Sequence, residues 1–266
     1  MKSLHKFRVA TGFAILALLL SCSSDDEAIT GQGKLNLEFD QVFGGADLIL
    51  RTQANALSNG EILKVDELKY IVSNIRLTKS DGTVFTYPKS ASYFIVDESD
   101  VQTQLLTLDG VPAGDYVSVT FGIGVDQEQF NLGAAGQGNF LALAEAESMM
   151  WSWSAGYKFV LFEGTFTTPT QTDAQTFMVH TGRTGIAYNY TEVTLALPQA
   201  ATVRKSVTPQ IHIFADAKDI LDGQNKVSLE ANSMMGMGAM IMGGAILGDI
   251  TSNVSQAFEV DHVHND

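Results

Sequence analysis

Polar and apolar residues alternate with a period of two over most of the chain after residue 33. Because successive side chains of a β-strand point to opposite faces, this pattern predicts strands with one buried and one solvated face. Gly-rich turn signals separate these strands, and no helical pattern recurs between them. The sequence therefore predicts an all-β fold, an antiparallel β-sandwich with few short helices. The alternation is clearest at 34–39, 68–77, 117–123 and 191–197.

One helix is predicted at 139–150, where alanine is frequent and Leu141, Ala144 and Glu145 have helical spacing. No internal repeat and no linker divides the chain after residue 33. The whole chain has 266 residues and is 45% hydrophobic, which is a globular composition. We expect one domain at 33–266.

The formal net charge of -14 argues against nucleic acid as a partner, because phosphate binding needs a basic surface. The sequence has one cysteine. A disulfide framework, a Cys-based zinc site and an iron-sulfur cluster held by this chain alone are therefore excluded.

Residues 1–21 have the form of a secretory signal peptide, with three basic residues before the apolar run 13–20. That run is too short to span a membrane. The sequence LLSC at 19–22 resembles a bacterial lipobox and predicts lipidation of Cys22, although a cysteine can also be a buried apolar thiol. Diacylation would anchor the protein to a membrane, and we expect an outer-membrane lipoprotein on the periplasmic or cell-surface face.

Residues 22–32 contain no apolar periodicity and predict a flexible tether. Serines followed by acidic residues at 23–27 resemble the export tag of surface-exposed lipoproteins. An ordinary solvated acidic tail is an equally good interpretation of so short a segment.

Familiar catalytic motifs are missing from the sequence. It contains no G-x-S-x-G elbow, no phosphate-binding G-x-x-x-x-G-K and no H-E-x-x-H. The glycines of the segment 122–126 lack the third glycine of a dinucleotide fingerprint. We therefore expect a protein that is not an enzyme.

Four histidines follow the signal segment, and neutral imidazole is a common copper or zinc ligand. His180 lies at a predicted strand end, where a hydrogen-bonded structural role is an equal alternative. His212 lies between two isoleucines, so it would face solvent or a partner if these isoleucines face the core. His262 and His264 share one face if the segment is extended, so they can clamp one metal, unless they belong to a frayed tail.

Methionines cluster in the apolar, Gly-rich segment 233–248. Thioether sulfur selects Cu(I), but methionine also fills irregular cores and adaptable interfaces, and that second interpretation is favoured here. Asp126, Glu128 and Asn131 supply oxygen ligands of the type that Ca²⁺ accepts. Turn capping by Asp126 is the favoured alternative, since three oxygens without a regular loop are a weak basis for calcium.

The most specific stretch is 149–164, MMWSWSAGYKFVLFEG, which contains both tryptophans. From composition alone, Trp151 and Trp153 would form a stacked core or a carbohydrate platform. Three further motifs occur in order with it. They are LKYIVSNIRL at 68–77, FGIGVD at 121–126 and FMVHTG at 177–182.

Together these four motifs resemble the MbnP family of exported copper-binding proteins, from about residue 33 to the C-terminus. The resemblance implies a β-rich fold, a role in copper handling and a partner diheme enzyme of the MauG type, MbnH. In relatives the partner oxidises a tryptophan to kynurenine, which then binds copper beside histidine. By motif, the tryptophan would be Trp151 or Trp153, and the ligand would be His180.

Kynurenine offers an aryl amine and a ketone where tryptophan has only an N–H donor, so it supplies a new donor atom. Two imidazoles with one further donor suit Cu(I). Some relatives carry four cysteines, and some carry histidine near Gln41, both of which this chain lacks. If that histidine is a ligand in relatives, the copper site of this chain is altered or lost, or it is completed by His212 or by the pair His262 and His264.

Two functions are therefore predicted from different classes. The first is a lipid-anchored copper-binding protein that is the substrate of a diheme oxidase. The second is a surface interaction lipoprotein without a metal site, in which both tryptophans are core residues and the methionine-rich segment contacts a partner.

Overall fold

A computed structural model describes residues 29–185, 187–234 and 238–266. Within these ranges the chain forms seventeen strands, four short α-helices and four single-turn 3-10 helices. The strands are β1 (Gln32–Phe43), β2 (Ala46–Asp47), β3 (Asn55–Ala56), β4 (Ile62–Lys79), β5 (Val84–Thr86), β6 (Tyr93–Asp97), β7 (Leu105–Pro112), β8 (Gly114–Ile123), β9 (Met150–Ser152), β10 (Gly156–Thr167), β11 (Gln175–Thr184), β12 (Ala187–Tyr188), β13 (Thr191–Val203), β14 (Gln210–Asp216), β15 (Ser233–Met234), β16 (Gly238–Ile241) and β17 (Phe258–His264). The α-helices are α1 (Gln127–Phe130), α2 (Phe140–Ala146), α3 (Ala217–Asp222) and α4 (Ile246–Val254). The 3-10 helices are Lys89–Ala91, Val101–Thr103, Ala134–Gln137 and Glu230–Asn232.

The strands form two curled sheets. The first has the order β17-β14-β1-β2, with β7 also paired to β1. The second has the order β13-β8-β4-β10-β11-β16-β15, and five short strands pair along its members. The predicted all-β, sandwich-like single domain is confirmed. Most pairs are antiparallel, but β1 with β14 and β11 with β16 are parallel.

The main core lies between the two sheets. Leu35, Leu37 and Phe39 alternate along β1 and are fully buried, while the residues between them are half-buried. Rings from both sheets meet edge to face, as Phe39 does with Phe121 at a centroid distance of 5.4 Å. Such packing removes large aromatic areas from water and explains why the alternating pattern specifies this sandwich.

A second, smaller core covers the outer face of the second sheet. It consists of eight buried residues, among them Ile71 of β4, Leu161 of β10 and Ala144 of α2. Because β4 is covered on both faces here, its residues 70–73 are all buried instead of alternating. The helix predicted at 139–150 forms as α2, over a shorter span, and it lies in the segment that closes this second core.

Candidate metal-binding sites

Three of the four histidines that follow residue 21 lie together on the outer face of the first sheet. Ile211 and Ile213 of β14 are fully buried in the main core, so His212 between them points outward, as predicted. In the antiparallel pair of β14 with β17, His212 lies opposite His262 and Gln210 lies opposite His264. The C-terminal segment is thus a strand, and it brings His262 and His264 to one face beside His212.

The imidazoles of this tri-histidine cluster, His212, His262 and His264, are in direct contact. The rings of His212 and His262 stack with centroids 4.5 Å apart and an interplanar angle of 15°. His264 stands edge-on to His262, with 2.8 Å between their Nε2 atoms. Among the described residues, His212, Asp261 and His262 form a group whose ligand atoms all lie within 4.8 Å of one another.

His180 lies away from this cluster. Its neighbours Phe177 and Val179 on β11 belong to the main core, whereas Leu161, which pairs with His180 across β10 and β11, belongs to the second core. His180 therefore faces the outer side of the second sheet, and the main core separates it from His212. Neither His212 nor the C-terminal pair completes a site at His180. Gln41 does not lie there either, since its buried amide donates to the Tyr70 hydroxyl at 2.8 Å.

The environment of His180 holds it as a neutral imidazole with one free lone pair. Its side chain is 3% exposed, and Nε2 lies 2.6 Å from a carboxylate oxygen of Glu163 on β10. A carboxylate only accepts, so Nε2 carries the proton and Nδ1 does not. Burial lowers the pKa of His180. The Glu163 carboxylate raises this pKa, and the nearby Lys158 ammonium lowers it further, so that the overall shift is downward. Nδ1 is buried without a hydrogen-bond partner among the described residues.

The structure distinguishes the two tryptophans. Trp151 on β9 lies beside His180, with ring centroids 6.1 Å apart and planes inclined by 47°. Trp153 instead stacks on Phe130 at 4.9 Å and packs against the second core. Glycine at position 182 allows Trp151 to come this close, because a Cβ there would lie 2.9 Å from the indole. Of the two tryptophans, Trp151 is thus the one beside a histidine.

Two methionines share the face of His180. Met178 precedes it by two residues on β11, and Met240 is the partner of Met178 in the parallel pair with β16. The flanking residues Phe177 and Val179 point into the main core, so Met178 faces the side of His180. Met234 and Met240 are about half exposed. Met235 and Met237 lie outside the described residues.

Asp126 is used as a helix cap. Its side chain accepts from the Gln129 backbone N–H at 3.0 Å and from the Tyr93 hydroxyl at 2.7 Å, which agrees with the favoured turn-capping interpretation. Lys89 Nζ lies 3.0 Å from Asp126 and 2.9 Å from Glu128. A calcium ion at these carboxylates would have to displace the lysine ammonium.

Several predictions concern residues that the structure does not describe. The signal peptide at 1–21, lipidation of Cys22 and most of the tether at 22–32 lie outside the described ranges. Within those ranges, no helix is long and apolar enough to cross a membrane.

Sequence reasoning missed the carboxylates that contact the histidines. Glu163 binds His180, Glu38 binds His212 and Asp261 binds His262. Asp261 was adjacent to His262 in the sequence and could have been selected. Glu38 and Glu163 reach their histidines only through strand pairing, for which the sequence carries no local signal.

The fold and these sites define an all-β, single-domain protein with two separate groups of imidazole and carboxylate side chains. A family model described as MbnP matches residues 32–241, and the chain belongs to the MbnP family. Membership supports a role related to copper. A solved structure titled MbnP from Methylosinus trichosporium is 16% identical, covers 81% of this chain and 82% of its own, and has a TM-score of 0.47. No curated protein is detectably similar to the sequence.

Proposed function

We propose that this protein is a lipid-anchored, extracytoplasmic copper-binding protein and that Trp151 is converted to kynurenine by a diheme enzyme of the MauG or MbnH type. The observation that carries the proposal is the contact of Trp151 with His180. A tryptophan modified at this position gains its new donor atoms beside a histidine whose Nδ1 has no hydrogen-bond partner in the part of the chain that the structure describes. Trp153 stacks on Phe130, and among the described residues no histidine ring lies beside it.

The donor set at His180 fits copper. Metal-binding histidines commonly donate their second ring N–H to a carboxylate, which orients the imidazole and makes it more basic. Glu163 accepts such a bond from Nε2 of His180 and leaves Nδ1 as the ligand atom. Met178 and Met240 add thioether sulfur along the same face, which favours Cu(I).

The modification would change what covers Nδ1. This atom is buried, so a metal reaches it only when a neighbouring side chain moves or is altered. Cleavage of the indole C2–C3 bond adds two oxygen atoms, taken from two equivalents of peroxide that are reduced to water. Hydrolysis then releases formate and leaves the aryl amine and ketone. Opening the ring of Trp151 thus supplies donors and removes a rigid indole from the side of His180.

The first experiment is an intact mass of the mature protein from its native host, with peptide mapping of 149–158 and metal analysis of the same sample. A gain of about 4 Da at Trp151, with bound copper, is expected. The Glu163→Gln variant removes the negative charge beside His180 and is expected to weaken copper binding about 10–100-fold. An unmodified peptide and a protein free of copper would overturn the proposal.

A surface interaction lipoprotein without a metal remains the second function. The exposed Met234 on β15, at the edge of the second sheet, and Met240 on β16 favour it, since methionine adapts to many partner surfaces. The metal content of the exported protein separates the two functions. For both, we expect no catalytic activity of the chain itself and no binding to nucleic acid.

A further inference from the structure

We propose that the tri-histidine cluster is a second metal site, independent of Trp151, that binds a divalent first-row transition metal and prefers Cu(II). It stands on the opposite side of the sandwich from His180. It needs no modified residue. Its three histidines lie on the neighbouring strands β14 and β17.

Strand pairing builds this site. Parallel pairing of β1 with β14 sets Glu38 beside His212, and antiparallel pairing of β14 with β17 sets His262 on the other side of His212. A bulge at His212 and Ile213 leaves Asp261 as an extra residue next to His262. Three strands thus deliver a row of Glu38, His212 and His262 across the outer face.

The distances suit a metal bridging His262 and His264. Their Nε2 atoms lie 2.8 Å apart, a hydrogen-bond distance at which one ring nitrogen donates its proton to the other. A metal bound at about 2.0–2.1 Å from each nitrogen would hold them about 2.9 Å apart in the tetragonal geometry of Cu(II) and about 3.3 Å apart in a tetrahedral site. A small opening, at most about half an ångström and available to exposed side chains, therefore replaces the proton between the two nitrogens with the metal.

Carboxylates contact ring nitrogens of these imidazoles, as they do around the histidine ligands of metal sites. Asp261 lies 2.6 Å from Nδ1 of His262, so this ring donates there and turns its Nε2 lone pair to His264. Glu38 contacts Nε2 of His212 in the same way and can also serve as an oxygen ligand. These acidic groups favour a cation electrostatically.

The end of the chain is held in place before any metal arrives. Asn265 donates to the Ala200 carbonyl at 3.0 Å, and its side-chain oxygen accepts from the Thr202 backbone N–H at 2.7 Å. Both contacts tie the residue after His264 to β13. The histidines are thus presented by a docked strand, which reduces the ordering cost of metal binding.

Solvent access distinguishes this site from the one at His180. The side chains of His212, His262 and His264 are 20%, 41% and 56% exposed, against 3% for His180. A hydrated divalent ion can reach the cluster directly. Imidazole suits copper, nickel and zinc, and affinities for such sites rise to a maximum at Cu(II), which explains the expected preference.

The test uses full-length protein produced without a diheme enzyme, so that Trp151 is unmodified and the proposed kynurenine site is absent. Titration with Cu(II) sulfate, followed by dialysis and metal analysis, is expected to give one tightly bound equivalent. Electron paramagnetic resonance should show nitrogen ligation. Zn(II) should compete, and more weakly than Cu(II).

Variants assign the site. The His262→Ala/His264→Ala double variant is expected to lose the bound equivalent, and Asp261→Asn to weaken it about 10–100-fold. Gln256→Ala, at an exposed position just before β17, is the matched control and should keep it. Loss of the equivalent in His180→Ala would place the metal at His180 and overturn the proposal. His264→Gln, at the most exposed position, provides a second variant in case the double variant unfolds, and circular dichroism monitors this. Equal binding by His264→Gln and the wild-type protein, or a signal with oxygen ligands alone, would show a structural hydrogen-bond network and overturn the proposal.

Discussion

Trp151 on β9 contacts His180 on β11, 29 residues further along the chain, with 6.1 Å between the ring centroids. Trp153, only two residues later, lies instead on the ring of Phe130. A two-residue spacing would put both indoles on one face of a straight strand. β9 ends at Ser152, and the chain turns before β10, so the two tryptophans acquire different neighbours.

The first prediction separates the roles of these tryptophans. Trp151→Phe should abolish the mass increase of about 4 Da and the copper that depends on it, because phenylalanine has no indole to open. Trp153→Phe keeps an aromatic ring on Phe130 and should retain both. Peptide mapping and metal analysis of exported protein check this. A mass increase that persists in Trp151→Phe and disappears in Trp153→Phe would reverse the assignment.

A second prediction concerns the glycine under the indole. A Cβ at Gly182 would lie 2.5 Å from the Tyr157 carbonyl oxygen and 2.9 Å from Trp151. Gly182→Ala should therefore push Trp151 away from His180, lower the modified fraction and destabilise the fold by about 1–3 kcal/mol. Urea unfolding and peptide mapping measure the two effects.

Gly243→Ala is the matched control for that substitution, since nothing lies within 4 Å of its Cβ position. It should leave both quantities unchanged. Full modification in Gly182→Ala would show that the contact between Trp151 and β11 is not needed for the reaction.

The strands and the main core were predictable because burial on one face enforces alternation. Leu35, Leu37 and Phe39 show this directly. Residues 70–73 do not alternate, since the second core buries the back of β4, and a local pattern does not reveal such a cover. The parallel pairing of β1 with β14 also leaves no local pattern in the sequence, because it joins segments about 170 residues apart.

The candidate sites were likewise predictable from the sequence only in part. The shared face of His262 and His264 follows from the period of a strand and was predicted. The separation of His180 from His212 depends on which sheet each strand joins, and the carboxylates Glu38 and Glu163 depend on register. Residue types and local spacing therefore indicated the chemistry, while the grouping of ligands required the tertiary structure.

A third prediction tests whether Asp126 is a cap or a calcium ligand. Burial raises the pKa of its carboxyl, but hydrogen bonds from Asn74, Tyr93 and the Gln129 backbone, with the Lys89 ammonium, outweigh this and lower it to about 2. Asp126→Ala leaves these donors unpaired and should cost about 2–4 kcal/mol of unfolding free energy. Added CaCl₂ should leave the melting temperature of the wild-type protein unchanged. A calcium-dependent rise that Asp126→Asn removes would establish an ion site.

The last prediction concerns Glu98, whose pKa burial raises to about 7, with Asp47, Asp40 and Asp97 adding repulsion. The folded state then holds a proton that the unfolded chain releases above its ordinary pKa of 4.5. The stabilisation from this bound proton is present below pH 4.5 and is lost as pH rises through about 7, so stability falls over that interval.

The Glu98→Gln variant stays neutral at every pH. It should be more stable than the wild-type protein at pH 8 by about 1 kcal/mol, after discounting for solvent screening, and nearly equal in stability at pH 4.5. The difference in urea midpoints at the two pH values measures the effect, and Glu259→Gln, an exposed glutamate on β17, is the control that should show none. A Glu98→Gln variant whose advantage does not grow with pH would mean that this carboxyl is ionised throughout the interval.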